Sequence, residues 1–301
     1  MTAPRISIVI PSYNQGRFLP QALDSLFADP DTLPEVVVVD GASQDDSVAV
    51  LQRYGEGHPT LRWISEPDDG PADAVNKGLA MASGEILGIQ SADDFCLPGA
   101  LRAAQHALDQ DPTLGMVYGD VKGVDIDGNP TFRRRFPEFS HAALFAISCT
   151  LAQGSIYFRR SVYEAIGGWN ARYYSCDLDY WMRIALRYPV RRIPQTLSAW
   201  RVYAGNRTSA GPKIWEGYWR MIEESPELQA ASPQLRRWAR ASAHLLALRF
   251  PPRSSRGTQL LHGWRGALLH PGFWRYNPWR RSLLLLPGWP TARAAYHALR
   301  R

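Results

Sequence analysis

Residues 6–16 of the chain read ISIVIPSYNQG, and residues 35–40 read EVVVVD. Each stretch contains a nearly unbroken apolar, β-branched run, which is typical of a strand buried on both faces. The first run ends at Pro11 and a polar turn, the second ends at Asp40, and a helix-length segment follows each. Strands that alternate with helices predict an α/β fold with a mostly parallel, nucleotide-binding type of sheet flanked by helices.

The pattern continues along the first two thirds of the chain. Further strands are predicted at 61–64, 85–90 and 155–158. Residues 116–118 and 121–126 are predicted to form a strand pair with a turn at 127–129, followed by a polar loop at 133–140. Apolar residues at 178, 181, 182, 185 and 186 have helical spacing, which places Asp177 in the first turn of a helix. We therefore expect one α/β domain over residues 1–212 and a helical, basic C-terminal region over 213–301.

Charge is distributed unevenly between these two regions. The net charge of the 301-residue chain is +6, but residues 228–301 contain 13 arginines and no acidic residue, which leaves −7 for the remainder. Tryptophans are interleaved with these arginines, as in Trp279-Arg280-Arg281. Such a composition favours an anionic membrane surface as a partner. A basic face that packs on the first domain is the alternative, and no module that reads nucleic-acid bases is recognisable.

The compartment is predicted from what the sequence lacks. The three cysteines have no CxxC spacing, which is typical of a reducing compartment and argues against disulfides or a cysteine zinc site. No signal peptide is recognisable, and no apolar run approaches the ~20 residues that span a bilayer. We expect a cytoplasmic protein, at most peripheral on the inner face of the cell membrane.

Acidic residues follow two of the predicted strands. Asp40 ends the second strand, and Asp93-Asp94 follow the fourth. Because the carboxyl ends of parallel strands meet at one edge of a sheet, these carboxylates are expected to converge there. Mg²⁺ or Mn²⁺ bridging to a diphosphate would relieve their mutual repulsion. A dinucleotide-dependent oxidoreductase is disfavoured, since the turn at 12–16 lacks GxGxxG.

Four ordered blocks carry a resemblance to a known family. They read SIVIPSYN at 7–14, VDGAS at 39–43, SEPD at 65–68 followed by NKG at 76–78, and SADD at 91–94. With the later Gly167-Gly168-Trp169 segment and Asp177, the set resembles the family 2 glycosyltransferases over residues 5–210. The resemblance implies a GT-A fold and an inverting, metal-dependent transfer of a sugar from a nucleotide-diphosphate sugar to a saccharide or lipid-linked saccharide, as in polysaccharide biosynthesis.

The resemblance also implies roles for individual positions. Asp177 matches the catalytic base, Asp94 the metal-binding acid, and Gln153 and Trp169 acceptor-side positions. Positions that match or are assigned to the nucleotide-sugar site are Pro11, Tyr13, Asp40, Asp73, Lys77, Asp93 and Arg207.

Two departures from the family pattern affect the metal site. The acidic block reads Ala92-Asp93-Asp94, so one acid of the usual pair is absent. Tyr203 stands where many relatives carry a histidine, and a tyrosine is a poor metal ligand at neutral pH. Arg207 is then a candidate for neutralising the diphosphate.

Each assignment has a structural alternative. Asp40 could simply begin a turn, since aspartate is a common turn residue, and Asp93-Asp94 could be solvated acids that precede a helix. Asp177 could serve only as a helix cap, and Asp179 is its competitor for the role of base. Lys77 and Arg207 could be surface charges, and Gln153 and Trp169 could pack. For the whole chain, the alternative function is a non-catalytic sugar- or lipid-binding module on a degenerate scaffold.

Overall fold

The computed structural model describes residues 5–28, 32–146, 151–206, 212–249 and 256–269. The chain divides into two compact units. The first, called the sheet unit here, comprises Met1–Glu138, Leu151–Ala171 and Arg183–Ala204. The second, the helical unit, comprises Phe139–Thr150, Arg172–Met182 and Gly205–Arg301. The predicted division into one domain over residues 1–212 and a second region over 213–301 stays a prediction.

The sheet unit contains one nine-stranded sheet in its described part, with strand order β3-β2-β1-β4-β8-β6-β9-β5 and with β7 paired to β6. The four neighbouring strands β3, β2, β1 and β4 are parallel, whereas β8 is antiparallel to both β4 and β6. The strands are β1 (Ile6–Ser12), β2 (Glu35–Asp40), β3 (Leu61–Ser65), β4 (Ile86–Ile89), β5 (Phe95–Cys96), β6 (Met116–Val124), β7 (Pro130–Arg134), β8 (Ile156–Arg159) and β9 (Val190–Arg201). The helices are α1 (Leu19–Phe27), α2 (Ser47–Gly57), α3 (Pro71–Met81), α4 (Ala100–Gln110) and α6 (Arg160–Ile166).

Apolar burial explains why the first strands form. All six residues of β2 are buried, and Ile8 and Ile10 of β1 pack in one core with Leu19 and Leu23 of α1. A helix-containing connection after each strand returns the chain to the end of the sheet where the next parallel strand begins. The predicted α/β architecture is confirmed.

The strand pair predicted within residues 116–126 is wrong. Residues 116–124 form one continuous strand, β6, and its hairpin partner is β7, which follows the predicted turn at 127–129 and overlaps the predicted loop only at residues 133 and 134. The centre of β6 cannot turn because Asp120 is buried and accepts two hydrogen bonds, at 3.1 and 2.7 Å, from the guanidinium of Arg192 on β9. This ion pair fixes β6 alongside β9.

Two further elements differ from the sequence expectations. The twelve-residue strand β9 was not predicted, because its first half, VRRIPQ, is polar and contains a proline. Ser43 and Asp46 have the sequence spacing of a capping box, but Asp46 makes no side-chain capping bond to α2. Ser43 instead hydrogen-bonds to Asp40.

The helical unit contains α5 (His141–Phe145), α8 (Pro212–Glu224), α9 (Pro226–Ala230), α10 (Pro233–Arg249) and α11 (Arg256–Leu269), together with the start of α7 (Cys176–Arg187). Its interior holds Tyr218, Phe145 and Leu245. The Nδ1 atoms of His244 and His262 lie 2.8 Å apart. Burial, and then the charges of His262 and Arg265, lower the pKa of His244 to about 4, so this pair is neutral at pH 7.

The C-terminal helices agree with the helix-prone pattern read from the sequence. Neither α10 nor α11 contains an acidic residue. None of the helices in the described part of the chain combines the length and hydropathy needed to cross a membrane.

Candidate active site

The carboxyl ends of the parallel strands form one edge of the sheet. Ser12 at the end of β1 pairs with Asp40 at the end of β2, and β4 lies on the other side of β1. In open α/β sheets this edge is where ligands bind. The loops that leave these three strands therefore form the candidate site.

Two of these loops are tied together by side chain–backbone hydrogen bonds. The backbone N–H of Asn14 donates to Ser43 Oγ at 2.7 Å, and Gln44 N–H donates to Asn14 Oδ1 at 2.9 Å. Gly16 N–H donates to Asp45 Oδ2 at 2.9 Å. Asn14 and Ala42 both have positive φ, 53° and 57°, a region that costs free energy for an alanine. The hydrogen bonds hold both loops in these conformations.

Asp40 is fully buried and has its own hydrogen-bond donors. Its Oδ2 accepts from Ser43 N–H at 2.9 Å and from Ser65 Oγ at 2.7 Å, and its Oδ1 accepts from Ser43 Oγ. These donors stabilise the carboxylate without a cation. Asp40 therefore lies at the predicted edge with its carboxylate stabilised locally, and its convergence with Asp93 and Asp94 stays a prediction.

Asp93 and Asp94 are adjacent in the turn that follows β4. Burial raises the pKa of Asp93, and it raises the pKa of Asp94 well above the usual range, with the charge of Asp93 as the next cause. The Oδ1 atom of Asp94 accepts a hydrogen bond from the backbone N–H of Arg201 at 2.8 Å. Two adjacent carboxyl groups in a poorly solvated turn are unfavourable as anions, and a bound cation would favour their charged forms.

Arg201, the last residue of β9, holds this turn in place and is itself only 2% exposed. Its guanidinium donates to the backbone oxygen of Asp93 at 2.8 Å and to those of Asp125 and Ile126, in the β6–β7 turn, at 3.0 and 2.7 Å. It also donates to Gln21 of α1. One side chain therefore connects the acidic turn to a hairpin and to a helix.

Tyr203 occupies the position where the resemblance places a histidine. Its hydroxyl donates to Asp93 Oδ2 at 3.2 Å, and the Gln15 side chain also hydrogen-bonds to it. Its ring lies 5.5 Å from that of Phe18. Tyr203 thus contributes a hydrogen bond to one acid of the turn.

The donors at this turn fit a hard divalent cation. No group of three or more histidine, cysteine or acidic side chains suited to a metal occurs within the described residues. Mg²⁺, however, is usually held by one or two carboxylates, with phosphates and water completing its shell. Within the described ranges the second oxygen of Asp94 accepts no hydrogen bond, so it is free to ligate. Asp94 with Asp93 beside it meets this requirement.

The other described donor-side candidates lie in or just after β1 and on α3. Pro11 is in β1, and Tyr13, just beyond it, is 59% exposed. Lys77 of α3 forms ion pairs with Glu66 at 2.8 Å and with Asp73 at 3.2 Å. Its charge is therefore already shared between two carboxylates. Arg207 lies outside the described residues.

The acceptor-side candidates are partly or fully buried. Gln153 begins a short 3₁₀ turn, Gln153–Ser155, before β8. Trp169 is 6% exposed, and its backbone forms a reciprocal pair with the Asn76 amide of α3: Trp169 N–H donates to Oδ1 at 2.7 Å, and Nδ2 donates to the Trp169 oxygen at 2.9 Å. Asn76 therefore fixes the turn at 167–169 to α3.

Asp177 lies in the first turn of α7, as the helical spacing predicted. The two acids of this turn differ in exposure: Asp177 is half-buried, whereas Asp179 is 1% exposed. Solvent access favours Asp177 over Asp179 as a group that exchanges protons with a ligand.

Several residues of the site were missed in the sequence. Arg201 and Gln21 are 180 positions apart and meet only in the folded chain. Ser65, which donates to Asp40, lies 25 residues after it, and only its place at the end of β3 could have suggested the contact. Asn76 lay in a quoted motif, but nothing local indicates that it pairs with Trp169.

The chain matches a known protein family and known glycosyltransferases. The family described as "Glycosyl transferase family 2" matches residues 7–167. Chondroitin synthase of Escherichia coli is 31% identical over 126 residues, which is 42% of this chain but only 18% of that protein. This chain thus spans less than a fifth of that relative.

Two solved structures resemble the whole chain. The mannosyltransferase PcManGT of Pyrobaculum calidifontis, in complex with GDP-Man and Mn²⁺, has a TM-score of 0.61 and 22% identity, covering 98% of this chain and 87% of its own. TarS residues 1–349 of S. aureus, with UDP-GlcNAc, has a TM-score of 0.64 and 16% identity, covering 98% and 92%. The predicted GT-A fold is confirmed.

The position of Arg201 gives a prediction about stability. Replacing it in Arg201→Met removes a cation beside the buried Asp94 and half-buried Asp93 and leaves three backbone oxygens without their donor, so the free energy of unfolding should fall by about 3–5 kcal/mol. Arg159 is a matched control, since its guanidinium donates to three backbone oxygens, those of Leu108, Asp111 and Leu114. Arg159→Met should cost less, about 1–3 kcal/mol. Urea unfolding measures both, and equal losses would contradict the role given to Arg201.

Proposed function

Because the chain belongs to glycosyl transferase family 2, we propose that it transfers a sugar from a nucleotide-diphosphate sugar to a hydroxyl of a saccharide or lipid-linked saccharide, with inversion at the anomeric carbon. The observation that carries this proposal is the Asp93–Asp94 turn at the carboxyl edge of the parallel sheet. Its two buried carboxyl groups have raised pKa values and are held by Arg201. Such a turn is suited to a cation and a diphosphate.

The donor side is assigned to the sheet unit. Asp94, with Asp93 beside it, would hold Mg²⁺ or Mn²⁺, which neutralises the charge that develops on the leaving diphosphate. Pro11, Tyr13, Asp40 and Asp73 remain the proposed contacts of the nucleotide and sugar. The complexes of PcManGT with GDP-Man and Mn²⁺ and of TarS with UDP-GlcNAc support this class of donor.

Lys77 and Arg207 are the proposed cationic contacts of the diphosphate. For Lys77, phosphate would have to replace Glu66 or Asp73 as its partner. The diphosphate as a whole carries more negative charge than either carboxylate and gains charge as the sugar leaves, so this exchange is favourable once the donor is bound.

Asp177 is the proposed base. An acceptor hydroxyl loses its proton as it attacks, and a carboxylate in hydrogen-bond reach accepts it. A single displacement on the face opposite the leaving group inverts the configuration. The position of Asp177 in the first turn of α7 favours its anionic form. Gln153 and Trp169 are the proposed acceptor contacts.

We also propose that the helical unit docks on an anionic membrane surface, on the cytoplasmic side where nucleotide sugars are available. Residues 228–301 carry 13 arginines and no acid. On α11, Leu261 is 48% exposed, Leu268 is 71% exposed, and the exposed Arg265 lies between them at helical spacing. The opposite side of this helix packs Gly266 against Leu245 of α10. Two leucines beside an arginine suit the interface between lipid headgroups and acyl chains.

The transferase activity is tested by release of nucleoside diphosphate. With Mn²⁺ present, we expect the protein to release it from one of UDP-glucose, UDP-GlcNAc or GDP-mannose, and Asp94→Asn should slow this about 100-fold or more because one cation ligand loses its charge. Asp109→Asn, an exposed acid paired with Arg5, is the control that should not change the rate. Unchanged release by Asp94→Asn, or binding of a donor without any turnover, would favour a non-catalytic binding module.

The base is tested with Asp177→Asn. Donor binding, followed as a thermal shift, should be retained, while transfer to an acceptor should fall about 10²–10⁴-fold because the amide cannot take the proton. Asp179→Asn is the comparison. Full transfer activity in Asp177→Asn together with a loss in Asp179→Asn would assign the base to Asp179.

Membrane docking is tested by co-sedimentation with vesicles of phosphatidylcholine containing one third phosphatidylglycerol. The double variant Leu261→Ser/Leu268→Ser should bind about tenfold more weakly, since it loses roughly 1–2 kcal/mol of apolar burial. Leu33→Ser, which changes a leucine of the sheet unit that is 59% exposed, should bind normally. Equal binding to vesicles of phosphatidylcholine alone, or none to either, would contradict docking on an anionic surface.

A further inference from the structure

The SEPD block at residues 65–68 contains one acid that the proposed reaction does not use. Ser65 of this block donates to Asp40, and Glu66 forms an ion pair with α3. Asp68 is half-exposed and lies in the loop between β3 and α3. This loop is held beside the end of β2, because the Glu66 N–H donates to the backbone oxygen of Asp40 at 3.0 Å. Asp68 therefore lies at the carboxyl edge of the parallel sheet.

The Asp68 carboxylate and the Tyr13 ring both lie against Gly41, the residue that follows β2. A Cβ atom on residue 41 would be 2.7 Å from Asp68 Oδ2 and 3.3 Å from Tyr13 Cδ2, and the first distance is shorter than real Cβ contacts allow. Glycine leaves this space to the two side chains. Gly41 is itself fixed, since its N–H donates to the backbone oxygen of Ser12 at 2.9 Å. A carboxylate oxygen and an aromatic ring are therefore neighbours at this loop.

The two oxygens of Asp68 differ in their partners. Oδ1 accepts a hydrogen bond at 2.8 Å from the backbone N–H of Gly70, whose φ of 104° belongs to the turn before α3. Oδ2 accepts no hydrogen bond from the residues that the structure describes. The bond from Gly70 fixes the rotation of the carboxylate, so Oδ2 is the oxygen held against Gly41.

Asp40, the carboxylate that the family resemblance assigns to the nucleotide, has a different environment. It is fully buried and accepts three hydrogen bonds from Ser43 and Ser65. Asp68 Oδ2 and the exposed ring of Tyr13 are instead accessible. A flat aromatic surface beside an open hydrogen-bond acceptor is the arrangement with which proteins bind and distinguish nucleotide bases.

We propose that Asp68 Oδ2 accepts a ring N–H of the nucleotide base while the base stacks on Tyr13, so that the site prefers uracil or guanine nucleotides to cytosine or adenine nucleotides. This inference rests on the proposed function, because the base belongs to the nucleotide-sugar donor.

The preference follows from the hydrogens of the bases. Uracil N3 and guanine N1 each carry a hydrogen on the base-pairing edge, whereas cytosine N3 and adenine N1 present a lone pair there. A carboxylate only accepts hydrogen bonds, so Asp68 matches the first two bases and repels the lone pair of the other two. Stacking on a tyrosine is available to every base, so the carboxylate sets the choice.

The test compares the affinities of UDP, GDP, CDP and ADP for the full chain by calorimetry with Mn²⁺ present. UDP or GDP should bind about tenfold or more tightly than CDP and ADP, as expected for one hydrogen bond to a charged group. Asp68→Asn keeps an oxygen for the Gly70 N–H and places an NH₂ donor where Oδ2 lies. This variant should lose most of the preference, with weaker binding of UDP or GDP and unchanged or tighter binding of CDP.

Two further variants separate base recognition from charge and from folding. Asp69→Asn removes the same charge from the next residue, whose exposed side chain makes no hydrogen bond within the described part of the chain, and it should keep the preference. Gly41→Ala carries the test if Asp68→Asn does not fold. Its methyl group would displace the Asp68 carboxylate without changing any charge, and the backbone tolerates it because φ at Gly41 is not positive. Gly41→Ala should therefore reduce the preference as well.

The proposal is overturned if the unmodified protein binds the four nucleotides equally or prefers CDP or ADP. An unchanged preference in Asp68→Asn, or an equal loss in Asp69→Asn, would also overturn it and would leave the base to Asp40. Release of nucleoside diphosphate from the donor sugars is measured in parallel. Release that continues in these cases refutes the role of Asp68 alone, whereas the absence of both binding and release in the unmodified protein refutes the proposed transfer too.

Discussion

One buried guanidinium holds the candidate site together. Arg201 connects the Asp93–Asp94 turn, the β6–β7 turn and α1, and its backbone N–H binds the Asp94 carboxylate. Two adjacent acids in a poorly solvated turn repel each other, and a nearby fixed cation makes that arrangement tolerable in the free protein. The residual repulsion is what a divalent cation can relieve. The turn is thus stable enough to fold, and its two acids suit the cation proposed for this site.

Asp40 illustrates a different solution at the same edge of the sheet. There the carboxylate is surrounded by hydroxyl and backbone donors from Ser43 and Ser65, so it remains buried without a cation. The loops after β1 and β2 are locked together through Asn14, Ser43 and Asp45. A rigid wall of this kind on one side and an acidic turn on the other are compatible with a nucleoside on the first and its diphosphate on the second.

The sequence was informative where the signal is local. The runs ISIVI and EVVVVD predict buried parallel strands, and the ordered motifs identify the family, because both are contained in short stretches. The strand β9 was missed, since a polar half and Pro194 obscure its pattern, although Arg192 and Arg201 within it bind Asp120 and the acidic turn. The partners of Asp40, Arg201 and Asn76 are set by tertiary contacts between distant segments, which no spacing in the chain encodes.

The pairing of Asn76 with Trp169 has a mechanical consequence. The two hydrogen bonds run in opposite directions between one side-chain amide and one peptide unit, so α3 and the turn at 167–169 cannot slide apart without breaking both. With Trp169 as the proposed acceptor contact, any rearrangement of α3 on donor binding would be transmitted to the acceptor side. Occupancy of one proposed site and the shape of the other would then be thermodynamically linked, and this linkage would act equally in both directions.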